Sequence, residues 1–407
     1  MANEATLSFI DDNRTEDTMS LALKNHPADV DMPYALEQIA GWQAARKKLP
    51  AWAATKGIVY PPHLSMEQCS SELTAIYKER LATRLAKDKQ TGTFVDLTGG
   101  FGVDFSYMAR DFHRSVYVER QQNLCQIASH NMPLLGLENV DVRCEDSVSC
   151  LKALSHVSMI FLDPARRDAN GGRTFAISDC TPDVVALKDI LLDKADNIIV
   201  KLSPMLDWHK AVADLGNVFE VHIVSVKNEC KELLLVLSKD ACVSSVLYCV
   251  DCMAESDGTP QFRTVELNFG EDSIEGRLPF RSPSAGMYVY EPNSSVMKSG
   301  RFNYVSFKYE MSMISENSHL FLSDRLDTTF PGRCFKIKDV VGMNKKELRK
   351  SLDGINKANV AVRNFPLSVA ELRKRLKLKD GGDTYIFATT LDDGTHVLLM
   401  TERIVRK

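Results

Sequence analysis

Between residues 93 and 238 seven short apolar runs follow one another, TFVDL, VYVE, VDVRC, VSMIFLD, NIIVKLS, FEVHIVSV and KELLLVLS. They are rich in β-branched and aliphatic residues, and the earlier ones are separated by stretches of helix length. A chain with this spacing is driven into a largely parallel sheet covered by helices on both faces. The last two runs lie only a few residues apart, around VKNECKE, and are expected to pair as an antiparallel hairpin at the end of the sheet. The predicted architecture is a seven-stranded, doubly wound α/β domain over residues 91–252.

The flanking segments read differently. Residues 1–90 form a helical N-terminal segment, with periodic apolar positions in MPYALEQIAGWQAA and SSELTAIYKERLATRLA and a break at Tyr60-Pro61-Pro62. MAESDGTPQF, residues 253–262, is turn-rich and apolar-poor and marks the expected domain boundary. Beyond it, 263–324 and 325–407 read as two small α/β modules, the second ending in YIFATT and HVLLMTERI around the turn DDGT. The length of 407 residues fits this division, and no internal repeat is evident.

An apolar fraction of 44% with 26% charged residues places the chain among folded globular proteins. No run approaches a membrane span, and the acidic N-terminus lacks the pattern of a signal peptide, so the expected location is the cytoplasm. Ten cysteines are too dilute for a disulfide scaffold. Cys249 and Cys252 form a C-x-x-C without a second pair or a histidine partner, and no metal site is expected. Charge is distributed unevenly: residues 1–37 hold eight acids against Arg14 and Lys24, whereas 331–379 hold fourteen Lys and Arg against four acids. The basic segment suggests a polyanionic partner; a solvated helix face is the alternative.

The chemistry concentrates at the strand ends. The first strand stops at Asp96 and runs into Gly99, Gly100 and Gly102, which lets backbone approach a ligand at the carboxyl edge of the sheet, although a tight strand-to-helix connection would also use glycines. The second strand ends at Glu119, where an acid can take both ribose hydroxyls. The third ends in RCEDS, placing Asp146 to accept from an adenine amino group. A dinucleotide enzyme would order its glycines G-x-G-x-x-G, and that order is absent.

The fourth strand ends FLDPARRD. D-L-T-G-G-F-G together with Glu119, Asp146 and Asp163-Pro164-Ala165-Arg166 resembles the class I S-adenosylmethionine-dependent methyltransferases, with their Rossmann-like sheet. Within them the chain is similar to a bacterial group of RNA methyltransferases with a THUMP-like C-terminal domain, distantly similar to cap trimethylguanosine synthases. MEQCSSELTAIYKERL, VKLSPMLD, YEPNSSVMKSG and ANVAVRNFPLSVAELRKRLKLKDGGDTYIFATT extend the resemblance over nearly the whole chain. It implies a ferredoxin-like module followed by a THUMP-like one. It also implies S-adenosyl-L-methionine as cofactor, held by Asp96, Thr98, Gly99, Gly100, Gly102, Asp104, Glu119, Asp146 and Ser147. Catalysis would fall to Asp163, Pro164 and Arg166, and a structured RNA partner, tRNA or rRNA, would meet Lys201 and Ser203; the charge of the basic segment adds Arg363, Arg373 and Lys377 as expected phosphate contacts, with part of that cluster a solvated face.

One departure bears on the reaction. Base N-methyltransferases commonly follow the acid and first proline with a second proline and an aromatic ring that stacks on the base; here Ala165 and Arg166 stand instead. Base-nitrogen methylation is favoured, with stacking supplied by an Arg plane or another segment. Asp-Pro-Ala-Arg also resembles the motif of RNA 5-methyluridine methyltransferases. Those need a Cys nucleophile after the next strand, where this chain has Lys201-Leu202-Ser203-Pro204. Cys180 is expected to be structural, with Thr181 and Pro182 as N-cap and first position of a helix. Met205 and Trp208 read either as pocket lining or as a helix start, and Lys201 as a phosphate contact or a snorkelling strand-end lysine. Gln68, Ser70, Ser71 and Glu72 read either as polar first-turn positions or as a lid over the cofactor. The alternatives left open are a small-molecule or protein methyltransferase and an RNA-binding protein without turnover.

Overall fold

The computed structural model describes residues 2–86, 91–166, 177–239, 245–268 and 278–405, apart from the side chains of Arg166 and Asn268. All seven apolar runs are strands: β1 (Thr93–Asp96), β2 (Arg114–Glu119), β3 (Val140–Cys144), β4 (Val157–Leu162), β5 (Ala195–Leu202), β6 (Val218–Val226) and β7 (Glu229–Leu237). β1 pairs in parallel with both β2 and β4, β2 with β3, and β4 with β5. β7 lies antiparallel to β5. The two strands that lie between β1 and β7 in the sheet, β4 and β5, are largely buried on both faces, as their continuous apolar sequence requires.

The sheet departs from expectation at one end. Its order is β9-β8-β6-β7-β5-β4-β1-β2-β3, where β8 is Val246–Ala254 and β9 is Pro260–Asn268. The hairpin of β6 and β7 turns at Lys227 and Asn228, both with positive φ, the left-handed pair that matches strand twist. It does not terminate the sheet. The described sheet has nine strands instead of seven, because the stretch expected to be a linker folds back. In β9, Val265 and Leu267 are buried between exposed Thr264 and Glu266, the period of two legible in TVELNF, which the sequence pattern assigns to the next module and the structure places in this sheet. Cys249 and Cys252 both lie on β8, three positions apart and so on opposite faces.

The N-terminal segment carries six helices: α1 (Glu4–Asn13), α2 (Thr18–Leu23), α3 (Met32–Lys48), α4 (Pro50–Ala54), α5 (His63–Gln68) and α6 (Glu72–Leu85). Tyr60-Pro61-Pro62 separates α4 from α5. Leu49, Trp52, Tyr60 and Met66 share one apolar cluster with Phe101, Val103 and Tyr107, so these helices pack directly on the glycine turn. Along α6 the buried positions Thr74, Tyr77, Lys78, Leu81 and Ala82 form a single helical stripe. Lys78 sits inside that stripe. Among the described residues no helix is long and apolar enough to cross a membrane.

The chain forms two compact units, the first from 1–226, 231–245 and 252–262 and the second from 227–230, 246–251 and 263–407. The second contains a sheet of seven strands. These are Ser312–Met313, β10 (Tyr288–Pro292), β11 (Phe321–Ser323), β12 (Gly332–Gly342), β13 (Asn359–Arg363), β14 (Thr384–Thr390) and β15 (His396–Ile404). Starting from Ser312–Met313, the order is β11, β10, β12, β15, β14, β13, so both stretches read as separate modules share one sheet. Neighbours are antiparallel except β13 and β14. The Arg363 Nη2 atom at the end of β13 lies 2.7 Å from Glu291 Oε1 on β10, although three strands separate them in the sheet. The sheet therefore curls until its far edge returns to β10.

Candidate active site

The carboxyl ends of β1 to β5 open onto a cleft of about 790 Å³, within the range of small-molecule sites. Asp96, Thr98, Gly99, Gly100, Gly102, Asp104, Glu119, Asp146, Ser147, Asp163, Pro164, Lys201 and Ser203 all line it. Five strands ending at one edge bring together residues spread over more than a hundred positions of sequence.

The glycine turn is built to keep backbone exposed to the cleft. A Cβ on Gly99 would come within 2.2 Å of the Tyr117 ring, and Gly100 and Gly102 have φ of +57° and +86°. No larger residue fits at Gly99 without moving β2 or the turn. Gly100 N–H donates to Glu119 Oε2 at 3.0 Å and Gln121 N–H to Oε1 at 2.8 Å, so the acid that ends β2 also fixes the turn. Gly102 precedes the short helix α7 (Val103–Met108), and β2 is followed by α8 (Gln122–Leu134).

Asp96 lies at the floor, 1% exposed, accepting from Thr98 N–H at 2.8 Å and from the Thr98 hydroxyl at 3.3 Å. Burial pushes its carboxyl up to about 8. Thr98 Oγ1 also accepts from Asp163 N–H at 2.6 Å, tying the ends of β1 and β4 together. Asp146 caps helix α9 (Ser147–Ala153): its Oδ1 accepts from Val148 and Ser149 N–H, both at 3.0 Å, and from the Ser149 hydroxyl.

Beside the glycine turn stands a buried ionic network. Lys201 Nζ donates to Asp163 Oδ2 at 2.6 Å, to Asp104 Oδ2 at 3.2 Å and to Ser70 Oγ at 3.0 Å. Ser70 Oγ donates to Asp104 Oδ2 at 2.7 Å. Lys78, fully buried, lies 3.1 Å from Asp104 Oδ1 and 2.5 Å from Glu232 Oε1 on β7. Burial alone would raise Asp104, but the Lys201 and Lys78 ammonium groups hold it down to about 2. Burial alone would lower Lys201, yet Asp104 and then Asp163 carry it well above the ordinary lysine range. Lys201 thus remains an ammonium, and Asp163, with 40% of its side chain exposed, faces the cleft already paired.

Other expected residues lie elsewhere. The Arg166 side chain lies outside the described residues. Trp208 is buried and neither it nor exposed Met205 lines the cleft; Leu206 does. Cys180 does line it, but the helix that follows, α10 (Val184–Lys194), is capped by Asp183 instead of Thr181, with Asp183 Oδ1 accepting from Ala186 N–H at 3.1 Å. Ser70 is no first-turn position: α6 is capped by Ser71, and the preceding hydroxyl turns into the network. Arg363 is held by Glu291 and Arg373 by Asp380, while Lys377 ends the helix α15 (Val369–Leu376) with positive φ; no described contact joins the three. (Between α11, Trp208–Leu215, and α15 the remaining helices are α12, Ser294–Ser299, α13, Phe302–Lys308, and α14, Lys345–Ser351.) Lys78 and Glu232 escape a linear reading. The available signal was Lys78 itself, a charge at a position where the helical period demands an apolar residue.

A nucleoside cofactor fits this cleft by its volume, by the glycine turn with two positive φ values that lines it, and by acids ending three adjacent strands. Comparison with known proteins agrees. Residues 288–331 match the model of a ferredoxin-like domain and 332–403 that of a THUMP-like domain. A solved structure from Porphyromonas gingivalis W83, described as a candidate methyltransferase, is 31% identical, covers 98% of each chain and superposes with a TM-score of 0.84. A SAM-dependent methyltransferase from Agrobacterium tumefaciens matches at 19% identity over 48% of this chain and 60% of its own, with a TM-score of 0.31. An rRNA methylase from Streptococcus thermophilus matches at 14% over 40% and 93%, also with a TM-score of 0.31. Comparison with curated proteins finds no match.

Proposed function

The chain belongs to the class I S-adenosylmethionine-dependent methyltransferases that carry ferredoxin-like and THUMP-like C-terminal domains, and on that premise we propose that it methylates a base nitrogen in a structured RNA. The observation that carries the reading is the Asp163–Lys201 pair at the mouth of the cleft beside the glycine turn. S-adenosylmethionine, when bound, supplies a methyl group already activated by its sulfonium, which leaves the protein to bind, orient and exclude water.

In this reading Glu119 takes the ribose hydroxyls and the glycine turn admits the cofactor to the floor of the cleft, with Asp146 and Ser147 at its far side. Asp163 accepts a hydrogen from the target amine and aims its lone pair. A lysine held as an ammonium is no proton acceptor, so Lys201 serves by donating to Asp163 and fixing its direction. Ser203 and Pro164 border the substrate side. The THUMP-like match and the basic 331–379 segment support RNA as the partner. Nucleoside mass spectrometry of RNA from cells with and without the gene tests this: a methylated base that disappears with the gene, and returns with the wild-type but not the Asp163→Ala chain, is expected. Unchanged modification profiles of tRNA and rRNA would move a small-molecule or protein substrate to first place.

A further inference from the structure

The second unit contains a cluster that the methyl-transfer site does not use, centred on YEP in the segment YEPNSSVMKSG. Glu291 is 2% exposed, yet it is shared by two arginines. Arg333, its cross-strand partner, donates through Nε at 2.8 Å and through Nη2 to Oε2. Arg363 donates through Nη2 to Oε1 at 2.7 Å, and its Nη1 reaches Val362 O at 3.3 Å. Each carboxylate oxygen is thus claimed by a different guanidinium. Two guanidinium groups that cannot lose their protons, on one carboxylate, leave a net positive charge in a fixed place. About a third of each arginine side chain remains exposed, and the Arg363 Nε atom, shut from solvent, has no acceptor among the described residues. The Nη N–H groups left over on these part-exposed side chains are donors of the kind that take phosphate oxygens.

An aromatic pair lies near enough to Arg363 to feel its charge. The His319 ring stacks on Phe302 with centroids 3.9 Å apart and planes 15° from parallel. His319 holds a positive φ of 50°, as does Asn364, next after Arg363, at 52°. Such backbone persists in non-glycine residues where the surroundings impose it, and it collects at binding sites. Burial, with Arg363 nearby, lowers the His319 pKa, so the ring stays neutral and adds a flat apolar face instead of a third charge.

We propose that Arg333 and Arg363, oriented by Glu291, bind a backbone phosphate of an unpaired RNA segment, with the adjacent nucleobase placed at the His319–Phe302 pair. This deepens the RNA reading above and rests on it. A phosphate seated on a preset guanidinium fork next to a stacking surface is how single-stranded RNA is held without reading its sequence.

The test uses the full chain and a short fluorescein-labelled oligouridylate, titrated over a range of salt. Replacing Arg333 and Arg363 together by Gln is expected to weaken binding at least ~10-fold at low salt and to reduce the log–log salt slope by about 0.7, the worth of the one phosphate they share. Replacing both by Lys keeps the charge but loses the fork, so affinity falls several-fold while the slope stays; this pair also serves if the Gln pair does not fold. S-adenosylhomocysteine affinity is expected to stay the same in both. Oligouridylate binding with unaltered affinity and slope in the folded Gln pair would overturn the subsite and leave the RNA reading standing. A wild-type chain that binds neither oligouridylate nor bulk tRNA would overturn both.

Discussion

Asp163 and Lys201 meet Oδ2 to Nζ at 2.6 Å, a pair formed by the carboxyl ends of two neighbouring parallel strands. The contact holds one carboxylate at the edge of the cleft and joins it, through Asp104 and Ser70, to the helical segment that precedes the sheet. Positioning and stability are therefore coupled here.

Removing either partner should separate chemistry from cofactor binding. Asp163→Ala is expected to lower kcat by ~10² to 10⁴, the usual worth of a positioned proton acceptor, with S-adenosylhomocysteine affinity within a few-fold of wild type. Lys201→Met should cost kcat similarly. Calorimetric titration beside single-turnover rates checks this; a parallel loss of affinity would make Asp163 a cofactor residue.

Glu119→Ala carries two costs. Besides a ribose acceptor it removes the partner of Gly100 and Gln121 N–H, so weaker S-adenosylhomocysteine binding should come with a loss of about 1–3 kcal/mol of stability. Denaturant unfolding without ligand measures the second effect alone. Gly99→Ala should be at least as damaging to binding, because its Cβ would overlap the Tyr117 ring.

Lys78→Met leaves Asp104 and Glu232 buried without that ammonium, and a loss of about 3–5 kcal/mol is expected. Adding Glu232→Leu should recover part of it. A double-mutant cycle that shows strict additivity would contradict the coupling.

Asp96 gives a pH signature. With its carboxyl raised from 3.8 to about 8 in the folded chain, the native state holds a proton that the unfolded state has released between about pH 4 and pH 8. Its contribution is thus complete in acid and falls as pH rises through that window. The melting temperature of wild type should drop relative to Asp96→Asn between pH 5 and pH 8, roughly 2–4 °C for each kcal/mol at stake. A constant difference between the two chains would exclude a raised pKa.

The fold was legible where the sequence is repetitive: seven apolar runs gave seven strands, and acids at their ends marked the cleft. It was less legible where distant segments decide. A lysine on an amphipathic helix ordinarily reads as solvated, and only its distant partners Asp104 and Glu232, the latter 154 residues away, explain Lys78. That TVELNF returns to the first sheet was hidden by a turn-rich connection, and the curl that carries Arg363 to Glu291 leaves no trace in local pattern. Asp183 outranked Thr181 as a cap because its carboxylate reaches the N–H of Ala186.

The ionic network also bears on where this enzyme can be cut. The change from helical to strand pattern invites a cut near residue 90. Such a shortened chain would lose Lys78 and Ser70 together with Trp52 and Met66. It would expose the apolar back of the glycine turn and strand Asp104 and Glu232 without a cation from that side. The helices before the sheet are thus a structural subunit of the catalytic domain fused in cis, and a fragment starting at β1 should be insoluble unless residues 1–86 are supplied as a separate peptide.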